Sequence, residues 1–177
     1  LINERTKFRK VKTYKINYDG KELITRMYQA GEFLGYVPLL EEKPYSENAE
    51  ALEETEVAII PKDDFLSLIY SSKDVARKFL KLLSVSLDEN EKRLLDLAYQ
   101  SVRQRVAGTL LQIATKNVES GGDLTITMAR RDIANLIGTA IESLNRTLID
   151  FKDEGLIQMT DAGLKILDRH KLESLLR

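Results

Sequence analysis

Ala76, Leu80, Leu83, Leu87, Asn90, Leu94 and Leu97 are separated by 4, 3, 4, 3, 4 and 3 residues. Only an α-helix lines such a series along one side. The strict seven-residue repeat is that of a coiled-coil seam, narrower than the apolar stripe of a helix laid on a globular core. The spacing predicts a helix from about Lys73 to Leu97 that pairs with a second copy of itself. Asn90 is the one polar member, and in a paired seam it meets its symmetry mate and fixes register at some cost in stability. The competing arrangement is a monomeric helix on its own domain, with Asn90 facing water.

Ahead of this helix the sequence reads as strands. Residues 12–18 alternate, with Tyr14, Ile16 and Tyr18 on one face. Asp19-Gly20 then predicts a two-residue type I′ hairpin turn, which needs positive φ at both central positions. Lys21 to Tyr28 returns as the second strand, and Glu56 to Ile60 reads as another, closed by Pro61. The pattern predicts an antiparallel β-roll, followed by a short helix over Asp63 to Ile69. The chain opens at Leu1, without Met, inside what reads as the middle of this sheet domain, so a preceding part of the domain is expected.

Beyond the seam, a helix is expected from about Tyr99 to Lys116, with Val102, Val106, Leu110, Ile113 and Ala114 as its apolar stripe. Ser120-Gly-Gly-Asp123 then breaks the chain. Leu124 to Ile126 reads as a short strand, Ala129 to Ile137 as a helix, Gly138 as a turn, and Ile141 to Asp153 as a second helix whose buried face is Leu144, Leu148 and Phe151. Gly155 stands where a left-handed residue ends a helix. Leu156 to Met159 and Leu164 to Leu167 form a hairpin around Asp161-Ala-Gly163. Two helices joined at a glycine and followed by a hairpin make a winged helix-turn-helix, whose second helix enters the DNA major groove.

Composition removes other functions. There is no Cys and a single His, which excludes disulfides, thiolate metal sites and multi-histidine metal centres. No metal site and no catalytic residue set is expected. No apolar run approaches the ~18 residues of a membrane helix, and the charged stretch Leu1 to Lys10 is no signal peptide, so a cytoplasmic protein without membrane contact is expected. The formal net charge of −1 hides strong patterning: residues 1–26 carry +5 (eight basic, three acidic), residues 32–64 carry −8 (two against ten), and residues 123–177 carry −1 (eight against nine). A near-neutral sum is therefore no argument against a nucleic-acid partner.

Several runs together resemble the Crp–Fnr family of bacterial transcription regulators. They are Met128-Ala-Arg-Arg-Asp-Ile-Ala134, Leu136-Ile-Gly138, Glu142-Ser-Leu-Asn-Arg146 and Glu154-Gly-Leu-Ile157. Upstream, Asp19-Gly-Lys-Glu-Leu23, Ala30-Gly-Glu-Phe-Leu-Gly35 and Leu39-Leu40 are similar to the family's effector-binding β-roll. Leu97-Ala98 through Arg105-Val-Ala107 and Leu110-Leu111 is similar to the segment that follows its dimer helix. The resemblance spans essentially the whole chain and is specific as an ordered combination. It implies an α+β protein: a partial cyclic-nucleotide-binding-like β-roll over residues 1–72, a dimerisation helix over 73–98 and a winged helix-turn-helix over 99–177. The implied partners are double-stranded DNA with a palindromic site, a second copy of the chain, and RNA polymerase.

Residue by residue, Glu142, Asn145 and Arg146 match the family's base-reading positions. The chemistry agrees, because an Arg fork bonds the two acceptors of guanine and a Glu accepts from the amino group of cytosine. Arg130, with Arg131 and Thr139 beside it, matches the phosphate-contacting start of the motif. Ala129 and Ala140 stand where the family carries hydroxyl caps, and Thr139 with Glu142 is expected to form a substitute capping box. In the effector region Gly35 is followed by Tyr36 where nucleotide-binding members have Glu, and Tyr45-Ser46 replaces Arg-Ser. With −8 over residues 32–64, a cyclic phosphate meets an unfavourable field, so cyclic AMP is not expected to bind at Gly35, Tyr36, Tyr45 and Ser46. The missing cysteines exclude the family's iron–sulfur sensor, and His170 is expected on the surface. No cofactor is expected, and the effector stays open. The alternative is a ligand-sensing protein whose helix-turn-helix contacts another protein. No converging set of acid, base and nucleophile supports an enzyme.

Overall fold

The computed structural model describes residues 11–119 and 123–177. The expected Ser120-Gly121-Gly122 break and the charged stretch Leu1 to Lys10 lie outside the described residues. The described chain divides into two compact units, residues 11–15 with 26–98 and residues 16–25 with 99–177.

The first three strands form one antiparallel sheet, in the order β2–β1–β3: β1 (Val11–Ile16), β2 (Glu22–Tyr28) and β3 (Asn48–Ala51). β3 was not expected from the sequence. It pairs with β1 from Val11 opposite Ala51 to Tyr14 opposite Asn48. Burial along β1 follows this reach, and not the alternation. Val11, Lys12 and Thr13 are buried, whereas Ile16, 53% exposed, and Tyr18 lie beyond the paired segment and face solvent. Tyr14, Ile16 and Tyr18, expected on one face of the strand, thus become more exposed along it. Lys12 is buried because its register partner Glu50 receives its ammonium at 3.0 Å. Opposite charges placed directly across an antiparallel pair stabilise the sheet in this way.

The hairpin turn also differs from type I′. Gly20 N donates to Asn17 O (3.0 Å) and Asn17 N to Lys21 O (3.0 Å). Gly20 has φ 76°, and Asp19 is not in the left-handed region. This is a three-residue loop, a turn closed by one left-handed glycine. The Asn17 side chain takes up the freed donors, its Oδ1 accepting from the N–H groups of Asp19 and Lys21.

Gly35, with φ 79°, starts the short helix α1 (Tyr36–Glu41), another element the sequence pattern did not reveal. The expected strand over Glu56 to Ile60 is absent. Within it only Val57 makes an isolated bridge, and Val57 and Ile59 are exposed. α2 (Lys62–Ser71) and α3 (Lys73–Tyr99) then appear close to their expected bounds. Asp63 and Asp64 sit in the first turn of α2, where the helix dipole favours acids. Tyr36 and Phe65 both meet Phe79 edge-on, with ring centroids 5.2 and 5.5 Å away, and Leu82 and Leu83 pack around them. Such pairs add about 0.5–1.5 kcal/mol beyond the area they bury.

α3 thus turns Phe79, Leu82 and Leu83 toward its own domain. Ser86 on the same helix accepts from Arg26 Nη1 at 2.6 Å. Within the unit, Leu80, Leu87 and Leu94 are left 66%, 61% and 66% exposed, one heptad apart. Asn90 is exposed as well, and Ala76, Leu83 and Leu97 are partly covered.

The second unit is built on α4 (Val102–Glu119), whose Val106, Ala107, Leu110, Ile113 and Ala114 enter one continuous core. Around it lie β4 (Thr125–Ile126), α5 (Arg130–Ile137), α6 (Ile141–Asp153), β5 (Ile157–Thr160), β6 (Gly163–Ile166) and α7 (Arg169–Ser174). The short α7, unexpected from the pattern, seals the core with Leu172 and is capped by Asp168, which accepts from Lys171 N at 2.9 Å. The wing is the sheet β4–β6–β5. At its entrance the hydroxyl and backbone N–H of Thr125 donate to Asp123, and these bonds hold that carboxyl below its ordinary range. In the wing turn Gly163 has φ 135°, and a Cβ there would run into the carbonyl of Ile126 on β4. Gly163→Ala is expected to destabilise the second unit by more than ~1 kcal/mol, read as a lower denaturation midpoint. An unchanged midpoint would refute the close approach of β6 to β4.

Candidate nucleic-acid interface

The two helices of the motif are set by glycines. At the end of α5 the left-handed Gly138 (φ 71°) lets its own N–H and that of Thr139 fold back onto the Ala134 carbonyl, at 2.9 and 3.1 Å. At the end of α6, Leu156 N returns to Phe151 O (2.8 Å) and Gly155 N to Lys152 O (3.0 Å), around a left-handed Gly155. This is a Schellman close, as expected at Gly155.

Burial then decides which side of α6 is available. Leu144, Leu148 and Phe151 are fully buried, and Thr147 turns its hydroxyl back to the Ser143 carbonyl at 3.0 Å. With about 100° between successive residues, the remaining outward arc carries two rows. One row is Glu142 and Arg146. The other is Ile141, Asn145 and Ile149. Glu142 and Arg146 are exposed and Asn145 is half-buried. The fold brings all three expected base-reading residues onto one side of one helix. The exposed Ile141 and Ile149 share that side, and a pattern of polar contacts gave no reason to single them out.

Arg130 and Arg131, at the first turn of α5, are both exposed. Arg131 faces solvent. Arg130 instead crosses to two other elements, donating from Nη1 to Asn145 Oδ1 (3.1 Å) and from Nη2 to Met159 Sδ (3.4 Å). This link joins α5, α6 and β5, and no spacing in the sequence signals it. Arg103 is a second missed arginine. It lies over the Phe151 ring at 4.7 Å and pairs with Glu154 at 2.6 Å, bracing the inner side of α6.

The expected capping box does not form. The residues before α5 and α6 are Ala129 and Ala140, and no side chain caps either helix. Thr139 lies one residue too early, its backbone already used by the Gly138 turn. Glu142 therefore stays outward, and the N–H groups of both helix starts receive no side-chain cap from Ala129 or Ala140. Such groups favour anions such as phosphate.

In the first unit, the expected effector residues separate. Tyr36 is buried in the aromatic cluster with Phe79 and Phe65, and so is a core residue. Tyr45 lies over Gly35, its Cε1 only 3.3 Å from where a Cβ of residue 35 would stand. It borders an open cavity of about 350 Å³ with Pro38, Leu39, Glu42, Lys43 and Lys62. Both lysines there already meet carboxylates, Lys62 with Glu42 at 3.7 Å and Lys43 with Glu41 at 3.3 Å. Ser46 follows Tyr45 on an exposed loop. These residues do not fit a cyclic phosphate: a phenol covers the glycine, and the nearby cations are neutralised. Among the described residues no group of three or more His, Cys, Asp or Glu side chains could hold a metal ion, and no helix is long and apolar enough to cross a membrane. His170 has a side chain 98% exposed.

A strand-rich domain with a long helix, joined in sequence to a winged helix-turn-helix with an outward Glu–Asn–Arg set, defines a DNA-binding regulator carrying a sensory domain. The chain belongs to the Crp–Fnr family of transcription regulators. Residues 104–175 match the Crp-like helix-turn-helix domain and residues 10–72 the cyclic nucleotide-binding domain. The chain is 27% identical over 166 residues to the CRP-like cAMP-activated global transcriptional regulator of Mycobacterium tuberculosis, covering 92% of this chain and 74% of that protein. It is 28% identical over 166 residues to the cyclic AMP receptor protein of Thermus thermophilus, covering 94% and 75%. Among solved structures, FixK2 from Bradyrhizobium japonicum superposes with a TM-score of 0.78 at 24% identity, over 94% of this chain and 82% of that one.

Proposed function

We propose that the protein is a homodimeric, sequence-specific DNA-binding regulator that acts on a palindromic site, with a sensory domain that does not take cyclic AMP. One observation carries the reading: the outward arc of α6 presents Glu142, Asn145 and Arg146 together, while the opposite side of the helix is wholly buried. Arg146 bonds the acceptor pair of a guanine, Glu142 accepts from a cytosine amino group, and Asn145 contacts a neighbouring base. Arg130, Arg131 and the uncapped helix starts at Ala129 and Ala140, next to Thr139, meet phosphates. In vitro selection from a random duplex pool tests the reading as a whole, since it reports binding, half-site symmetry and base identity together. A two-fold-related site with one G·C pair per half is expected. Binding without sequence preference and flat in salt would instead favour a protein partner for the helix-turn-helix.

The homodimer is supported by Leu80, Leu87 and Leu94, exposed at heptad spacing on α3. Pairing along this row, with Ala76, Leu83, Asn90 and Leu97 beside it, sets two recognition helices at successive major grooves about 34 Å apart. A signal received by the sensory domain then acts by altering that pairing. RNA polymerase is the expected further partner where the protein activates transcription.

Three outcomes follow. Arg146→Ala is expected to lose sequence preference with unchanged thermal melting, and a mutant that still selects the same site would overturn the base assignment. Leu87→Glu is expected to yield a monomer by light scattering and to lose operator binding with it. Cyclic AMP at 1,000 times a proposed dissociation constant would stabilise a binding protein by about 4.1 kcal/mol. No shift in melting temperature is expected at about millimolar nucleotide, and a clear rise would overturn the exclusion.

A further inference from the structure

The guanidinium of Arg130 bridges from α5 to Asn145 on α6 and Met159 on β5. A guanidinium offers five N–H donors and no acceptor. Its contact therefore decides the orientation of the Asn145 amide on chemical grounds: the oxygen faces Arg130 and the NH₂ points away. The thioether of Met159 is a weak acceptor that holds the other arm of the fork, so the guanidinium is fixed from two sides.

An asparagine free to turn reads adenine, donating to N7 and accepting from the N6 amino group. The oxygen needed to accept from adenine is here engaged, and it stands beside a permanent positive charge that opposes a second N–H donor. What Asn145 presents is a donor. Its partners are acceptors on the major-groove edge: N7 and O6 of guanine, or O4 of thymine.

We infer that Arg130 is a positioning residue for base recognition, holding Asn145 as a hydrogen-bond donor so that the base it meets is guanine or thymine and not adenine. The inference rests on the DNA-reading function proposed above. It goes beyond the phosphate contact proposed above for Arg130, because a phosphate contact sets register and affinity and carries no base identity.

The test uses the full chain and the duplex recovered by selection with the wild-type protein. Asn145→Ala first identifies the base pair that Asn145 meets, as the one position where preference relaxes. Single-base variants at that pair are then titrated with wild type, Arg130→Lys, Arg130→Lys/Asn145→Ala and Asn145→Asp. Lys keeps the positive charge and loses the fork. Asp keeps the shape of Asn and the partner for Arg130, and has no donor. Wild type is expected to disfavour adenine by about fivefold or more, the low end of one base contact. Arg130→Lys is expected to lose that discrimination, to keep the G·C preference assigned to Arg146, and to keep the slope of affinity against salt. The double mutant is expected to lose nothing further, and Asn145→Asp to lose the guanine or thymine preference. An Arg130→Lys protein with the wild-type base profile, weakened equally on all sequences, would overturn the inference. So would Asn145→Ala relaxing no position, or Asn145→Asp retaining the preference. Wild-type protein that selects no sequence at all fails the DNA-reading function itself, a separate and recognisable result.

Discussion

The complete burial of one side of α6 is the constraint on which the interface depends. Leu144, Leu148 and Phe151 are fully buried, so the helix cannot rotate without exposing them. Fully burying each such side chain is worth about 1.5–3 kcal/mol. Arg103 adds a second hold, stacked on Phe151 and paired with Glu154. With the inner side pinned, Glu142, Asn145 and Arg146 have no choice of direction. Their outward presentation follows from the hydrophobic core and from the two left-handed glycines, Gly138 and Gly155, that end α5 and α6.

The sensory domain keeps the architecture of a nucleotide-binding domain and changes its chemistry. Two tyrosines do this by different physical routes. Tyr36 is drawn into the core, where Phe79 offers it an edge-on aromatic contact and Phe65 packs in the same cluster, so it leaves the ligand side altogether. Tyr45 stays half in solvent and lies over Gly35, in the space a side chain at that position would need. The two lysines beside it meet carboxylates, Lys43 with Glu41 and Lys62 with Glu42.

Much of the chain was legible in the sequence because its signals are periodic. The stripe of α4, the two helices of the motif and the wing hairpin each repeat an apolar pattern that burial follows, and the heptads of α3 mark a helix of nearly the expected length. The failures share a cause. Glu56 to Ile60 alternates well enough for a strand, yet only Val57 in it makes a bridge, and Val57 and Ile59 are exposed. β1 alternates too, but its burial stops where β3 ends, so Ile16 and Tyr18 face water. α1, β3 and α7 have only four to six residues each, too short to display a period. Thr139 and Glu142 satisfy the letter of a capping box, but the backbone begins α6 one residue later.

By itself the sequence determined the two-part organisation, the long helix with its exposed leucine row, and the residue types available for reading bases. These depend on period and on side-chain chemistry, which are local properties. Tertiary structure alone decided how those residues act. The Arg130 link to Asn145 and Met159 joins positions 15 and 29 residues apart, and the withdrawal of Tyr36 into the core depends on Phe65 and Phe79 from two other helices. A hydrogen bond or a ring contact between distant residues has no period along the chain. It exists only once the core has fixed the elements that carry the two partners.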